Sequence, residues 1–274
     1  MCKEPLVTVL MTTFNSEYFL TAALDSVKHQ YMQDWELVVV DDGSTDRTLE
    51  ILRTESDHRV RLIELGRNFG IAVALNCGLQ AARGSFVARL DSDDLMYPSR
   101  LHVQSSYLLS NSEASLIAGH MDVIAGGQHR IMSPMTSDDC RYLLARGNPL
   151  VSSSVMFRRS VLVEHGLCFD TRLRNSQDYA MWVSLAQYGP LVVTNDLVGA
   201  YRMHAAQQSV GNHLRQTVLA AKIQSRVVAS EGRKFGMSTR DTLIGAYSLM
   251  GTFSYVARIG IKAARERFTS MRRK

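Results

Sequence analysis

Residues 85–94 read SFVARLDSDD. The first half of this segment is apolar and typical of a buried strand, and its second half holds three carboxylates, Asp91, Asp93 and Asp94. Carboxylates this close repel one another, and a hard divalent cation such as Mg²⁺ or Mn²⁺, which prefers oxygen ligands, would relieve the repulsion. A solvated acidic turn is the alternative. We therefore expect a strand that ends either at a cation site or at an acidic turn.

The same layout occurs earlier in the chain, where residues 37–46 read LVVVDDGSTD. An apolar run without polar alternation is typical of a strand that is covered on both faces. Gly43 permits a tight turn, and the polar residues after it can cap a following helix. Ligands of open α/β sheets collect beyond the carboxyl ends of the strands, so we expect Asp41 and Asp91 at one ligand-binding edge.

Strand-like and helix-like segments alternate along the first half of the chain, which predicts an α/β protein with a mostly parallel central sheet and right-handed crossovers. The predicted strands are 6–12, 36–40, 60–65 and 85–90, and the predicted helices are 20–27, 47–53, 71–82 and 98–109. Beyond about residue 110 the order is less regular, and we expect short strands and helices that extend the same sheet. These are strands at 116–118, 121–125 and 154–157 and helices at 137–146 and 177–188.

Composition excludes several classes of protein. The hydrophobic fraction of 46% and the charged fraction of 21% are ordinary for a globular chain, which argues against disorder and low complexity. A length of 274 residues suits one principal domain with an appendage. The four cysteines lack Cys-x-x-Cys spacing, so neither a zinc site nor a disulfide framework is indicated.

Positive charge is concentrated at the C-terminal end. Residues 258–274 hold seven lysines and arginines against one glutamate, with apolar residues between them. Such a helix either binds an anionic membrane surface or packs as a solvated helix on its own domain. Nucleic acid is not expected as a partner, because no groove-reading or aromatic-rich motif accompanies the charge. The chain starts without a signal-like segment, and the apolar region 242–261 is interrupted by polar residues, so we expect a cytoplasmic protein, free or held at the inner face of the membrane.

Six motifs in this order together resemble family 2 glycosyltransferases of the GT-A fold. They are TTFN at 12–15, DDGSTD at 41–46, RNFG at 67–70 followed by Asn76, the DXD-type DSDD at 91–94, QDYAMW at 177–182 and YRMH at 201–204. The resemblance covers residues 6–204. It implies a GT-A-type nucleotide-binding fold over residues 1–204, with the nucleotide part before about residue 110 and the acceptor part after it, plus a helical C-terminal extension over residues 205–274.

The resemblance also implies a function. An inverting, metal-dependent enzyme of this family would move a sugar from a nucleotide sugar, usually a UDP-sugar, to a hydroxyl of a glycan or lipid-linked saccharide in surface polysaccharide synthesis. Nucleotide binding is implied for Thr13, Asn15, Asp41, Asp42, Arg67, Asp91 and Ser92, with Asp41 reading the base. Asp91, Asp93 and His204 are the implied ligands of Mn²⁺ or Mg²⁺. Asp178 is the implied catalytic base.

Trp182 lies four residues after Asp178, so on a helix it would share a face with the base and contact an acceptor sugar, or else serve as a core aromatic. The chain departs from the family pattern at Gln177, where the family often has Glu, and at Ala180, where a second acid is common. These departures keep open a catalytically silent nucleotide-sugar-binding subunit. A sugar-1-phosphate nucleotidyltransferase is a weaker alternative, because TTFN lacks the glycines and the basic residue that cradle a triphosphate.

Overall fold

The computed structural model describes residues 4–125, 128–132, 136–204 and 213–231. The chain divides into two compact units, of which the first comprises Met1–Arg141 with Leu150–Ala205 and the second Tyr142–Pro149 with Ala206–Lys274. The predicted apolar region 242–261 and the basic tail 258–274 lie outside the described residues.

The first half of unit one is a run of strand, helix and parallel strand, as the sequence predicted. Its strands are β1 (Val7–Thr13), β2 (Trp35–Asp41), β3 (Val60–Glu64) and β4 (Phe86–Asp91). They lie in the order β3-β2-β1-β4 and pair in parallel. The connecting helices are α1 (Leu20–Lys28), α2 (Thr48–Arg53) and α3 (Ile71–Ala81). Every residue of β1 and β2 is buried, which explains their continuous apolar sequence.

The second half extends the same sheet with mixed strand directions. Its elements are β5 (Leu95–Met96), α4 (Arg100–Ser110), β6 (Leu116–Ala125), β7 (Gln128–Met132), β8 (Met156–Arg158), α5 (Arg159–His165), α6 (Gln177–Leu185) and β9 (Leu191–Met203). The sheet continues from β4 as β8-β6-β9-β5, and β7 pairs with β6. β8 is antiparallel to both β4 and β6, whereas β6 and β9 are parallel. In the part of the chain that the structure describes, the result is a mixed sheet of nine strands with flanking helices, an α/β architecture.

Several predictions for this half were wrong. The strands predicted at 116–118 and 121–125 are one continuous strand, β6. The predicted helix 137–146 is only a 3-10 helix at Arg141–Ala145, because the Asp139 carboxylate binds the Arg141 backbone and side chain and closes a local turn instead. The predicted strand 154–157 begins at Met156, since Ser152–Ser154 form a 3-10 turn. β9 was missed because Thr194, Asn195 and Asp196 interrupt its apolar sequence.

The second unit is described in two parts. A helix, α7, spans His213–Arg226 and ends in a π-helical turn, Val227–Glu231. Within this unit the Gln224 side chain donates a hydrogen bond to the Ala145 carbonyl at 2.7 Å. In the described ranges, no helix combines the length and the apolar character needed to cross a bilayer.

The register of the parallel strands positions the candidate site. Thr13 of β1 pairs with Asp41 of β2, and Thr12 pairs with Asp91 of β4. The three strands therefore end at the same level, and the loops that follow them share one edge of the sheet. This is the edge at which open α/β sheets bind ligands.

At the opposite end of β2, a buried carboxylate links three elements. Glu36 is only 2% exposed, and it accepts hydrogen bonds from the Thr8 hydroxyl at 2.8 Å, the Arg83 guanidinium at 2.7 Å and the Arg61 guanidinium at 3.0 Å. Burial on its own would raise the pKa of Glu36, but these hydrogen bonds outweigh burial and lower it. The ionised carboxylate therefore joins β1, β3 and the segment after α3.

We predict that Glu36→Gln lowers the free energy of unfolding at pH 7 by about 2 to 4 kcal/mol, because the guanidinium groups lose their buried partner. The native pKa lies below the ordinary value of 4.5, so the contribution is present above that pH and is lost as the pH falls below it. Urea unfolding at pH 7 and pH 4 should show the difference shrinking on acidification. Glu50→Gln, at an exposed pair with Arg47, is the control and should change neither value.

Candidate active site

The loop after β1 is fixed to the loop after β2 by direct hydrogen bonds. Asn15 has a left-handed backbone with φ of 52°, and its amide oxygen accepts a hydrogen bond from the Thr45 backbone at 2.8 Å. Its own backbone N–H donates to the Ser44 hydroxyl at 3.0 Å. Thr13 is buried, and its hydroxyl has no hydrogen-bond partner among the described residues. A buried hydroxyl without a partner is costly, so it marks a position where a ligand can bind.

Asp41 is fully buried and organises its own turn. Its carboxylate accepts hydrogen bonds from the backbone of Gly43 at 3.0 Å and of Ser44 at 2.9 Å, and from the Ser44 hydroxyl at 2.5 Å. Gly43 has a φ of +76°, and a Cβ there would lie 2.4 Å from the Arg67 backbone. The turn therefore requires glycine. A nucleobase N–H that bound Asp41 would have to share a carboxylate that already accepts three hydrogen bonds.

Asp42 anchors a different loop. Its two carboxylate oxygens accept hydrogen bonds from the backbone of Phe69 at 2.8 Å and of Gly70 at 2.9 Å. The anchored loop carries Arg67, which is exposed and has its guanidinium carbon 4.5 Å from the centre of the Phe69 ring. Asp42 thus positions the loop, whereas the Arg67 charge is accessible to an anion.

The acidic motif after β4 forms a set of distinct contacts. The Asp91 carboxylate contacts the Arg89 guanidinium, and the Asp91 backbone N–H donates to the Ser153 hydroxyl at 3.0 Å. The Ser92 hydroxyl lies 2.8 Å from that of Ser16 and so joins the β4 loop to the β1 loop. Asp94 is buried, and its carboxylate accepts a hydrogen bond from the Arg202 backbone at 3.0 Å.

The remaining acid of the motif, Asp93, contacts a histidine. Its carboxylate oxygen lies 2.9 Å from His204 Nε2, and the His204 ring packs against Phe19 with ring centres 4.4 Å apart. Burial raises the pKa of Asp93, the nearby Asp91 charge raises it further, and the contact with His204 opposes the rise. Burial also raises the pKa of Asp94 well above its ordinary range, with added repulsion from Asp91 and Asp93. Such a cluster favours a cation beside it.

The residues fit a cation that a substrate helps to hold. Across the described ranges, no three or more His, Cys, Asp or Glu side chains are placed to hold a metal by themselves. Asp93 and His204 offer one oxygen and one nitrogen donor in contact, whereas the Asp91 carboxylate is engaged by Arg89. Mg²⁺ in phosphate-binding sites takes one or two carboxylates and completes its shell with phosphate oxygens and water. The predicted three-ligand set is therefore not preassembled, but a cation bridging to a diphosphate suits these donors.

Asp178 lies at the start of α6 and is held by the 3-10 turn Ser152–Ser154. The Ser152 hydroxyl donates to Asp178 Oδ2 at 3.0 Å, and the Tyr179 backbone N–H also binds this carboxylate. Burial raises the pKa of Asp178, the two hydrogen bonds and the charge of Arg89 lower it, and the charge of Asp91 raises it. A half-buried carboxylate with a raised pKa suits a general base.

Arg89 is a site residue that sequence reasoning missed. It is 1% exposed, it contacts Asp91, and its Nε and Nη1 atoms have no hydrogen-bond partner within the described part of the chain. Its guanidinium carbon lies 5.9 Å from the centre of the Phe169 ring. Asn76 fixes Phe169 through two hydrogen bonds of 2.8 Å to the Phe169 backbone. The available signal was a single arginine inside an otherwise apolar strand.

Trp182 does not face an acceptor. Its side chain is fully buried, and its ring centre lies 6.1 Å from that of Phe157. The proposed stacking on an acceptor sugar was therefore wrong, and the alternative of a core aromatic is what the structure has. The i,i+4 spacing predicted a shared face with Asp178, but it did not reveal that this face turns into the protein.

Comparison with known proteins assigns the sequence to one family. Residues 8–166 match the family model described as Glycosyl transferase family 2. An uncharacterized glycosyltransferase of Haemophilus influenzae is 28% identical over 90% of this chain and 80% of the relative. The putative teichuronic acid biosynthesis glycosyltransferase TuaG of Bacillus subtilis is 30% identical over 73% of this chain and 80% of its own. The Escherichia coli UDP-Glc:alpha-D-GlcNAc-diphosphoundecaprenol beta-1,3-glucosyltransferase WfgD is 28% identical over 76% of this chain and 80% of its own.

Solved structures share the fold. S. aureus TarS 1–349 in complex with UDP-GlcNAc superposes with a TM-score of 0.67 at 20% identity, over 79% of this chain and 66% of that one. The mannosyltransferase PcManGT from Pyrobaculum calidifontis, in complex with GDP-Man and Mn²⁺, superposes with a TM-score of 0.63 at 19% identity, over 97% of this chain and 81% of that one. At these identities the likeness establishes the GT-A-type fold.

We predict that Asp42→Ala releases the loop at residues 67–70. The Phe69 and Gly70 amides lose their carboxylate acceptors, so their hydrogen exchange should accelerate about tenfold or more. Asp46→Ala is the matched control, because Asp46 binds the backbone of Glu17 and Thr48 instead. Amide exchange followed by NMR checks both variants. Equal acceleration at Phe69 in the two variants would contradict the assignment of Asp42 as the anchor of this loop.

Proposed function

This chain belongs to glycosyl transferase family 2, and from that premise we propose that it transfers a sugar, with inversion, from a UDP-sugar to a hydroxyl of a glycan or lipid-linked saccharide. The family and its relatives show that the chain is a glycosyltransferase. We propose the donor, the acceptor, the cation and the roles of individual residues.

One observation carries the proposal. Asp178 and Asp91 are held by neighbouring residues of one turn, since the Ser152 hydroxyl binds the Asp178 carboxylate and the Ser153 hydroxyl binds the Asp91 backbone. A carboxylate able to accept a proton thus lies close in the fold to the acidic edge that would receive a diphosphate. An inverting transfer requires both groups on the two sides of the reacting carbon.

In the proposed reaction, the oxygen of the acceptor hydroxyl attacks the anomeric carbon, and Asp178 takes the proton of that hydroxyl. The bond from that carbon to the diphosphate oxygen breaks in the same in-line step, which inverts the configuration, and the electron pair leaves with UDP. Arg89 holds Asp91 at the edge of the sheet. Its charge also favours the ionised form of Asp178 before the reaction.

A divalent cation, Mn²⁺ or Mg²⁺, would neutralise the departing diphosphate. Asp93 and His204 are the residues that we propose to hold it, with Asp91 beside them. The Mn²⁺ named in the PcManGT complex supports the choice of cation. The exposed Arg67 would add positive charge near the phosphates.

The uridine preference rests on the relatives and on the loops that follow β1 and β2. WfgD is named for UDP-Glc, and TarS is described with UDP-GlcNAc, whereas PcManGT is described with GDP-Man. In this chain Thr13 and the buried Asp41 are paired across β1 and β2, and the Thr13 hydroxyl has no hydrogen-bond partner among the described residues. We propose that both side chains contact the base. Asn15 fixes the loop that follows β1 to the loop that follows β2.

The acceptor class comes from the names of two relatives. TuaG is named for teichuronic acid biosynthesis, and WfgD acts on a GlcNAc-diphosphoundecaprenol. We therefore propose a growing surface polysaccharide or a lipid-linked saccharide as acceptor. Contact of residues 258–274 with an anionic leaflet would bring the enzyme to such an acceptor, and it remains a proposal because that tail lies outside the described residues.

We predict that UDP with Mn²⁺ stabilises the protein against heat more than GDP, TDP or CDP does. A ligand at about 100 times its dissociation constant adds about 2.7 kcal/mol, which is a shift of a few degrees for a domain of this size. Chelation of the cation should remove the shift, and Asp93→Ala should remove the part that depends on Mn²⁺. Asp139→Ala is the control, because it removes an acid whose described hydrogen bonds come from Arg141 in the same local turn. A folded sample that responds equally to every nucleotide would contradict the uridine assignment.

We predict that Asp178→Asn lowers turnover by about 10²- to 10⁴-fold while the shift produced by UDP and Mn²⁺ persists. In the wild type, turnover should fall on acidification with an apparent pKa above the ordinary aspartate value of 3.8, because the base must be ionised and burial raises its pKa. The assay is UDP release from UDP-glucose and UDP-GlcNAc with a GlcNAc-diphospholipid acceptor. Asp170→Asn, at a surface pair with Arg172, should keep wild-type turnover. Nucleotide binding without turnover in the wild type would instead indicate a silent binding subunit.

A further inference from the structure

The structure assigns separate positioning roles to two neighbouring serines, Ser152 for the base Asp178 and Ser153 for the donor-side Asp91. This inference rests on the proposed function, because it concerns how the two halves of the proposed site are held in register. It goes beyond that function by naming two residues whose loss should produce different defects.

Ser152 acts on the base alone. Its hydroxyl donates to Asp178 Oδ2 at 3.0 Å, across 26 residues of chain. The Tyr179 backbone N–H supplies a second donor from the helix of the base itself. Ser152 therefore ties this carboxylate to a different element, and it restricts the rotation of the Asp178 side chain.

Ser153 acts on the donor side. It is fully buried, and its hydroxyl accepts a hydrogen bond from the Asp91 backbone N–H at 3.0 Å. This N–H comes at the last residue of β4, where the strand ladder ends and the backbone needs another partner. Ser153 therefore fixes the point at which the acidic loop leaves the sheet.

The turn itself is rigid, so the two contacts are held at a set separation. The Ser154 backbone N–H donates to the Val151 carbonyl at 2.9 Å and closes the 3-10 turn. The buried Gln104 side chain donates to the Ser154 carbonyl at 2.7 Å, and the Arg100 guanidinium donates to the Val155 carbonyl at 2.9 Å. The turn is thereby attached to α4, a helix that carries none of the proposed catalytic or binding residues.

Ser154 supplies a matched control within the same turn. Among the described residues, its hydroxyl contacts the Val151 carbonyl and neither carboxylate. Ser154→Ala therefore removes the same atom from the same turn without touching Asp178 or Asp91. Any general loosening of the turn should appear in all three alanine variants.

The kinetic experiment compares Ser152→Ala, Ser153→Ala and Ser154→Ala with Asp178→Asn as reference, using UDP release from UDP-glucose with a GlcNAc-diphospholipid acceptor. We expect Ser152→Ala to lower kcat about tenfold and leave the dissociation constant of UDP with Mn²⁺ unchanged. Ser153→Ala should raise that dissociation constant about fivefold. Ser152→Thr, which keeps the hydroxyl, should restore most of kcat, and Ser154→Ala should match the wild type in both quantities.

A second measurement uses no substrate. Arg89 and Asp91 are charged groups that act on Asp178, and Ser152→Ala and Ser154→Ala leave the contacts of both unchanged. Removal of the Ser152 hydroxyl should raise the pKa of Asp178 further, so the folded state of Ser152→Ala binds its proton more tightly. A raised native pKa means stability that is lost as pH rises. The Tm deficit of Ser152→Ala should therefore be larger at pH 8 than at pH 5, whereas that of Ser154→Ala should be equal at both.

The outcomes separate the two claims. If Asp178→Asn keeps wild-type turnover, the proposed base is wrong, and the unfolding measurement still tests the Ser152 contact. If Asp178→Asn is inactive but Ser152→Ala behaves like Ser154→Ala in kcat and in the pH dependence of Tm, the positioning role of Ser152 is overturned and the proposed function stands. Equal effects of Ser152→Ala and Ser153→Ala on nucleotide binding would overturn the division of roles.

Discussion

The site depends on a buried guanidinium. The Arg89 side chain is almost completely buried, and its guanidinium contacts the carboxylate of Asp91, the first acid of the DSDD motif. A charge removed from water in this way needs a partner, since the cost of burying it alone is several kcal/mol. The Asp91 carboxylate supplies that partner, so the requirement to neutralise Arg89 holds the acid at the end of β4. Phe169 covers the guanidinium from one side, and Asn76 fixes Phe169.

This arrangement gives the acidic edge an uneven charge balance. Burial raises the pKa of Asp93 and of Asp94, and repulsion from Asp91 raises both further. On the positive side, Arg100 is also buried, and burial lowers its pKa to about 9 although Asp94 raises it. The Arg100 guanidinium donates hydrogen bonds to the Arg89 and Val155 carbonyls and to the Gln104 side chain, and the hydrogen bonds described for it do not reach the carboxylates. The proposed divalent cation, bound together with a diphosphate, would complete this balance.

Much of the fold was predictable, and the reason lies in burial. The strands β1, β2 and β4 are covered on both faces, so their continuous apolar sequence identified them and the acids at their ends. β9 was not predictable in this way, because Asp196 and its neighbours leave the core in mid-strand. Trp182 was misplaced for a related reason: a helix period of 3.6 residues tells which side chains share a face, but the core contact with Phe157 decides where that face points. The role of Ser152 depends on a contact across 26 residues, which no local pattern contains.

The substitution of the usual acid by Gln177 can be interpreted in the same electrostatic terms. Gln177 precedes Asp178 at the start of α6, and its side-chain oxygen has no hydrogen-bond partner among the described residues. A glutamate at this position would add a negative charge next to a carboxylate whose pKa is already raised by burial and by Asp91. Like charges disfavour ionisation, so an acid here would raise the pKa of Asp178 further. Glutamine has the same shape without the charge, and it leaves Arg89 as the charge that favours ionised Asp178. The departure from the family pattern therefore changes the electrostatic surroundings of the proposed base Asp178 and leaves its carboxylate in place.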